Sequence, residues 1–166
     1  MRARKLKRVE PAEGQESVWD YPRPPIVQAT SARLRIELGG ALVIDTTDAV
    51  RVLETSHPPV YYVPLEAALV PMHEAGGTSL CEFKGVARYL TIVAGNRIAV
   101  KSAWYYPEPW PRYEALAGRF AVYPSKMDRC EIDGEAVAPQ EGDFYGGWIT
   151  SRIVGPFKGG PGTQGW

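Results

Sequence analysis

Five residues near the middle of the chain, Cys81-Glu82-Phe83-Lys84-Gly85, set a thiol and an ammonium three positions apart. A lysine beside a cysteine favours the thiolate and so makes a nucleophile. It also holds a phosphate or carboxylate as a point charge. On a regular strand these two side chains point to opposite faces. A bulge or turn at Gly85 would bring both to one cleft. The plainer reading makes Cys81 a small buried apolar residue and Lys84 a solvated strand residue. A second Phe-Lys-Gly, Phe157-Lys158-Gly159, recurs in the tail and adds Lys158 as a ligand contact.

Glu54-Thr55-Ser56-His57-Pro58-Pro59 is the second cluster. It packs a carboxylate, two hydroxyls and an imidazole into a loop stiffened by two prolines, and ligands are usually met on loops that a scaffold holds rigid. His57, one of two histidines in the chain, is the natural acid or base, with Glu54 beside it. The alternative is a helix end capped by Thr55 and Ser56, with His57 bonded to the backbone. His73, in VPMHEAGG, reads as an exposed loop residue without a partner.

Aromatic side chains surround these candidates: Tyr61-Tyr62, Arg88-Tyr89 and Trp104-Tyr105-Tyr106. Strand alternation turns one member of each pair inward and one outward. Tyr62, Arg88, Tyr89, Trp104 and Tyr106 are the set that would grip a planar or polar ligand. The competing reading places them in a core between two sheets. The phrase W-x-Y-P-x-P occurs twice, as Trp19–Pro24 and Trp104–Pro109. Proline after tyrosine sets an extended backbone. The expectation is two connectors that wrap sheet edges and bury Trp19 and Trp104.

The elements that must position these residues are mostly strands. RLRIEL (33–38), the turn Gly39-Gly40 and ALVID (41–45) read as a hairpin. AVRVLE (49–54) fits a short helix or a strand, and VYYV (60–63) a strand closed by Pro64. SLCEFKG (79–85) leads into VARYLTIVA (86–94), the turn Gly95-Asn96, and RIAVKSAW (97–104). PRYEALAG (111–118) carries the signals of a helix, with Pro at its start and Gly at its stop. RFAVY (119–123) reads as a strand, and Asp133-Gly134 as the turn of a hairpin over 130–137. The expected architecture is mainly β, with antiparallel sheets and one or two short helices. Residues 16–166 would form a single domain behind a flexible basic arm, 1–15. The Gly-rich tail, 146–166, would pack on that domain through Phe157 or Trp166 and bring Lys158 near the cleft.

Composition bounds the partners. The chain has 166 residues, 19 Lys+Arg against 19 Asp+Glu, and 45% hydrophobic content. Zero net charge gives no electrostatic case for nucleic acid as the main partner. The start, MRARKLKRVEPAEGQES, has no apolar core behind its charges, and no apolar run is long enough for a bilayer. These features point to a cytoplasmic protein with a small-molecule ligand and no membrane partner. A homo-oligomer stays open, and the residues name no cofactor. Cys81 and Cys130 are read as two free thiols.

RVLETSHPPVYYVP (51–64), TSLCEFKGVARYLTI (78–92), SAWYYPEP (102–109) and AGRFAVYPSKMD (117–128) together resemble the domain-of-unknown-function family DUF427, which also carries a nucleotidyltransferase-like label. The resemblance runs across 33–128, and ESVWDYPRPP and FYGGWITSRIVGPFKGGPGTQGW look like additions of a longer branch. It implies a β-tent or Mss4-like fold, in which antiparallel sheets lean together over an inter-sheet cleft. Zinc-bearing relatives of that fold use CxxC pairs, and this chain has none, so no zinc is carried over. The family phrase C-P-Y-K-G is here CEFKG, which keeps Cys81, Lys84 and Gly85. The label implies transferase-like chemistry. No D-x-D follows a Gly-Ser turn, and GPFKGGPGT (155–163) lacks GK[ST]. The resulting expectation is an enzyme acting on a small polar or phosphorylated molecule, with a binding module for a small ligand or peptide as the alternative.

Overall fold

Alternation of apolar residues over most of the chain produces strands, and the computed structural model, which describes residues 6–142 and 144–166, is built almost entirely from them. In chain order they are β1 (Glu16–Ser17), β2 (Ile26–Thr30), β3 (Leu34–Leu38), β4 (Ala41–Thr46), β5 (Ala49–Leu53), β6 (Val60–Pro64), β7 (Met72–Cys81) and β8 (Gly85–Ala94). The second half of the chain adds β9 (Arg97–Tyr105), β10 (Arg119–Val122), β11 (Arg129–Ile132), β12 (Glu135–Ala136), β13 (Ala138–Pro139), β14 (Trp148–Ile149) and β15 (Ile153–Val154). A seven-stranded antiparallel sheet has the order β2-β5-β6-β10-β9-β8-β7, and a four-stranded one the order β12-β11-β3-β4. β1 pairs in parallel with β15, which ties the N-terminal part of the chain to its tail. The first five residues of the expected arm lie outside the described residues. Nearer the domain, Val9 N donates to Gly155 O at 3.0 Å.

One face of the large sheet packs on the small one. Tyr61, Val63, Leu90, Ile92, Ala103, Phe120 and Val122 meet Leu34, Ile36, Leu38, Val43 and Ile44 in the main core. Alternation sends Val50, Val52, Tyr62, Ala87, Trp104, Tyr106 and Tyr123 to the opposite face. The side chains of the main core fill the centre of the inter-sheet space, and a hollow of about 300 Å³ remains at its edge, where Arg51 and Tyr61 face Ile132. The cleft that gathers the candidate residues lies instead on the outer face of the seven-stranded sheet, which corrects its expected inter-sheet position.

Three local expectations also change. The stretch around His73 is not a loop but part of β7, whose register against β8 shifts between Glu74 and Thr78. Gly76 and Gly77 adopt positive φ there, which breaks the alternation a sequence reader relies on. The short helix expected over 111–118 is present in shorter form, as 3-10 turns over Pro111–Leu116 interrupted at Tyr113. Trp104 lies within β9, not in a connector, and Trp19 sits in a 3-10 turn spanning Val18–Asp20.

The hairpin turns of the two sheets touch. A Cβ on Gly95 would stand 2.1 Å from Gly39 O, and Gly95 has φ 55. Gly95→Ala is expected to cost about 1–3 kcal/mol, because the obstacle is backbone that cannot swing away. The midpoint of chemical denaturation reads this directly, and an unchanged midpoint would refute the contact.

Candidate functional site

The outer face of the large sheet carries a cleft of about 290 Å³, walled by Tyr62, Tyr89, Trp104, Tyr106 and Tyr123. Glu54, His57, Cys81, Lys84 and Lys158 also line it. Local geometry explains the convergence. Residues Glu82–Lys84 form the turn between β7 and β8, with Cys81 paired to Gly85. Gly85 has φ 122, and this turn puts Cys81 and Lys84 on the same side. His57 ends the turn Glu54–His57, closed by His57 N donating to Glu54 O at 3.0 Å.

The two W-x-Y-P-x-P segments each secure one half of the site. The first, with Val18 just before it, grips the Glu54–His57 loop: Ser56 N donates to Val18 O at 3.0 Å, Thr55 N to Pro22 O at 3.1 Å, and Arg23 Nη2 to Thr55 O at 2.8 Å. Trp19 Nε1 donates to Pro156 O at 2.8 Å and so holds the tail as well. The second segment lines the cleft with Trp104 and Tyr106. Just beyond it, Trp110 N donates to Lys84 O at 2.9 Å and steadies the lysine turn.

The tail forms the remaining wall. Tyr145 meets the His57 ring edge-on at 4.9 Å between centroids, and Lys158 Nζ lies 5.6 Å over the Tyr145 ring. Phe157 packs with Val18, Tyr21, Leu53 and Ile153, while Trp166 meets Trp19 at 5.5 Å. Gly146 lies flat on Trp104, where a Cβ would stand 2.3 Å from the indole.

The electrostatics favour charged groups inside this hollow. Burial works against the Glu54 carboxylate, but His57, Lys84 and Arg23 outweigh it and hold its pKa below the usual value. Burial also works against the Lys84 ammonium, and the neighbouring Tyr62, Cys81 and Glu54 outweigh it, so Lys84 stays above its usual range. No Asp or Glu oxygen lies within 4.0 Å of Lys84 among the described residues. Burial pushes the Tyr62 and Tyr106 phenols up, leaving them neutral donors. His57 Nε2 lies 3.4 Å from Glu54 Oε2, and Arg23 Nη2 donates to the same oxygen at 3.4 Å.

A lowered carboxylate pKa has a signed consequence. The folded chain binds fewer protons at Glu54 than the unfolded chain, whose reference value is 4.5. The stability from this group is complete above that value and is lost as pH falls through the lower folded value. In thermal melts below about pH 4.5, Glu54→Gln is expected to lose less stability than the parent. Parallel acid profiles would contradict the charge assignment.

Some expected residues fall elsewhere. Arg88 does not line the cleft. It alternates with Ala87 and Tyr89, so it projects from the opposite face, exposed beside Tyr105. His73 is exposed on β7. Cys130 is a buried free thiol in the main core, pushed up to about 12 by burial. Gln140, Tyr145 and Gly146 line the cleft without having been singled out in the sequence. Their only prior signal was the Gly146-Gly147 pair, which permits close approach. Among the described residues no group of three or more His, Cys, Asp or Glu is placed to hold a metal ion, and no helix is long and apolar enough to cross a membrane.

Residues 26–133 match the family model described as a domain of unknown function, DUF427. That span includes Glu54, His57, Cys81 and Lys84 and ends before Gln140, Tyr145 and Lys158. No curated protein matches the chain.

Proposed function

The chain belongs to the DUF427 family, and we propose that its cleft binds, and acts on, a small polar molecule carrying an anionic group such as a phosphate or carboxylate. The observation that supports this is the convergence of Lys84, Cys81, His57 and Glu54 on one aromatic-walled hollow. Lys84, half-buried and with no carboxylate oxygen within 4.0 Å among the described residues, takes the anionic group. Glu54, backed by His57, accepts a hydrogen bond or proton from the ligand. Cys81 stands beside Lys84 as the nucleophile of a transferase-like reaction. Tyr62, Tyr89, Trp104 and Tyr106 close on the apolar part, and Lys158 adds a second positive charge from the tail.

A non-catalytic binding module is the second reading. It is favoured by aromatic walls that already pack on one another: Trp104 Nε1 donates to Tyr62 OH at 3.2 Å, and the Tyr123 ring lies 4.5 Å from that of Trp104.

A thermal-shift panel of nucleotides, sugar phosphates, metals and acyl compounds tests the site on the parent, Lys84→Ala and His57→Ala. A compound that stabilises the parent and neither variant supports the cleft. Equal shifts in all three proteins would overturn it. Mass spectrometry of the recovered compound then separates the readings: a changed compound supports the enzyme, and an unchanged one the binding module.

A further inference from the structure

We infer that Gln140 locks the neutral His57 ring in the tautomer that carries its proton on Nε2, which makes Gln140 and His57 positioning residues for the Glu54 carboxylate. Two backbone groups decide which way the Gln140 amide faces. Its Nε2 donates to Lys158 O at 2.7 Å, and its Oε1 accepts from Gly147 N at 3.1 Å. A carbonyl oxygen only accepts and a backbone N–H only donates, so only one orientation satisfies both. The flipped amide would set two acceptors against each other and two donors against each other around a side chain that is 4% exposed.

The same Nε2 lies 3.3 Å from His57 Nδ1. A carboxamide nitrogen has no lone pair to offer, so Nδ1 must be the acceptor. The proton of the neutral ring is then on Nε2, facing Glu54 Oε2 at 3.4 Å. Tyr145 covers the ring edge-on at 4.9 Å. Both ring nitrogens are therefore directed at protein groups.

Glu54 Oε2 is approached by His57 and Arg23, whereas Oε1 accepts no hydrogen bond among the described residues. In the ligand reading above, on which this last step rests, Oε1 is the acceptor that meets the bound molecule. His57 acts on that molecule only through Glu54. Gln140 lies past residue 133, where the family match stops. The tail of this chain thus sets the state of a histidine inside the family region. It does so through one side chain bonded to Lys158 and Gly147 and backed by Lys158 N donating to Ser56 O at 2.9 Å.

The test needs no ligand, so its failure is distinguishable from failure of the ligand reading. The chain has two histidines, His57 and the exposed His73. Two-bond proton–nitrogen correlation spectra of the full-length chain labelled with nitrogen-15 at histidine are recorded at alkaline pH, where free imidazole is neutral. The expected result for His57 is a pyridine-type Nδ1 and a pyrrole-type Nε2, more completely polarised than in His73. In Gln140→Met the His57 pattern should relax towards that of His73. In Gln140→Glu, whose carboxylate accepts instead of donating, Nδ1 should become pyrrole-type. A pyrrole-type Nδ1 in the parent would overturn the inference. So would a parent-like pattern in folded Gln140→Glu. The parent spectrum alone decides if neither variant folds.

Discussion

Trp104→Ala is expected to destabilise the fold by about 3–5 kcal/mol, the ordinary range for truncating a large buried aromatic residue. The indole is 8% exposed and forms the floor of the cleft. It lies 4.5 Å from the Tyr123 ring and 6.2 Å from the Tyr62 ring, and its backbone pairs with Tyr89 and Ala121 in the centre of the large sheet. Removing it hollows out the floor of the cleft above a sheet that cannot collapse into the space, and takes the donor from Tyr62 OH. It also removes the surface on which Gly146 rests, so the tail wall should loosen together with the sheet face. Denaturant titration followed by tyrosine and tryptophan fluorescence measures the loss. A change below about 1 kcal/mol would show that the indole is not wedged as described.

Lys84→Met should weaken both stability and binding, by separable amounts. The methionine keeps the unbranched length of the side chain and removes an ammonium that has no carboxylate within 4.0 Å among the described residues. Neighbouring groups hold the Lys84 ammonium above its usual range and it helps hold the Glu54 carboxylate down, so its removal is expected to lower the melting temperature at neutral pH. Affinity for an anionic ligand should fall roughly 10- to 100-fold, the value of one charge-assisted hydrogen bond. Isothermal titration of any compound found in the panel reads the second effect, and a thermal melt reads the first. A variant that binds the anion as tightly as the parent would remove Lys84 from the site.

Much of the sheet framework was legible because it follows the period-two rule. RLRIEL alternates without interruption and is β3, with Leu34, Ile36 and Leu38 all in the core. The Gly95-Asn96 and Asp133-Gly134 turns link the strand pairs they predicted. β7 was not legible. Its two glycines and register shift scramble the alternation, and only Met72, Ala75, Leu80 and Cys81 are apolar in a segment that is mostly exposed. The helix expected over 111–118 is a short 3-10 one, Pro111–Leu116, with Gly118 just past its end. Closely spaced Pro107, Pro109 and Pro111 hold the approach extended, and the short body folds as 3-10 turns.

The candidate site was legible in its residues and less so in its placement. His57 and Lys84 were visible as polar groups beside Pro58 and Gly85, with Glu54 and Cys81 each three positions before them. Alternation says that Tyr61 and Tyr62 face opposite ways, but it cannot say which face meets the second sheet. That choice depends on which face the small sheet packs against through Leu34, Ile36 and Ile44, and it put the cleft on the outer face. Gln140 was invisible because its importance comes from Gly147, Lys158 and His57, which only the fold brings to it. Arg88 was misplaced because its neighbour Tyr89 takes the cleft side of β8.

The indole resonances offer the most direct test that the outer face of the large sheet is where this protein meets its ligand. Proton–nitrogen correlation spectra report the Nε1–H of Trp104 inside the cleft and that of Trp148, which packs against Tyr61 on the other face. When a compound that stabilises the parent is titrated in, the Trp104 signal should shift in step with binding while the Trp148 signal stays in place. Movement at Trp148 with Trp104 unchanged would place the ligand on the wrong side of the sheet and contradict the account.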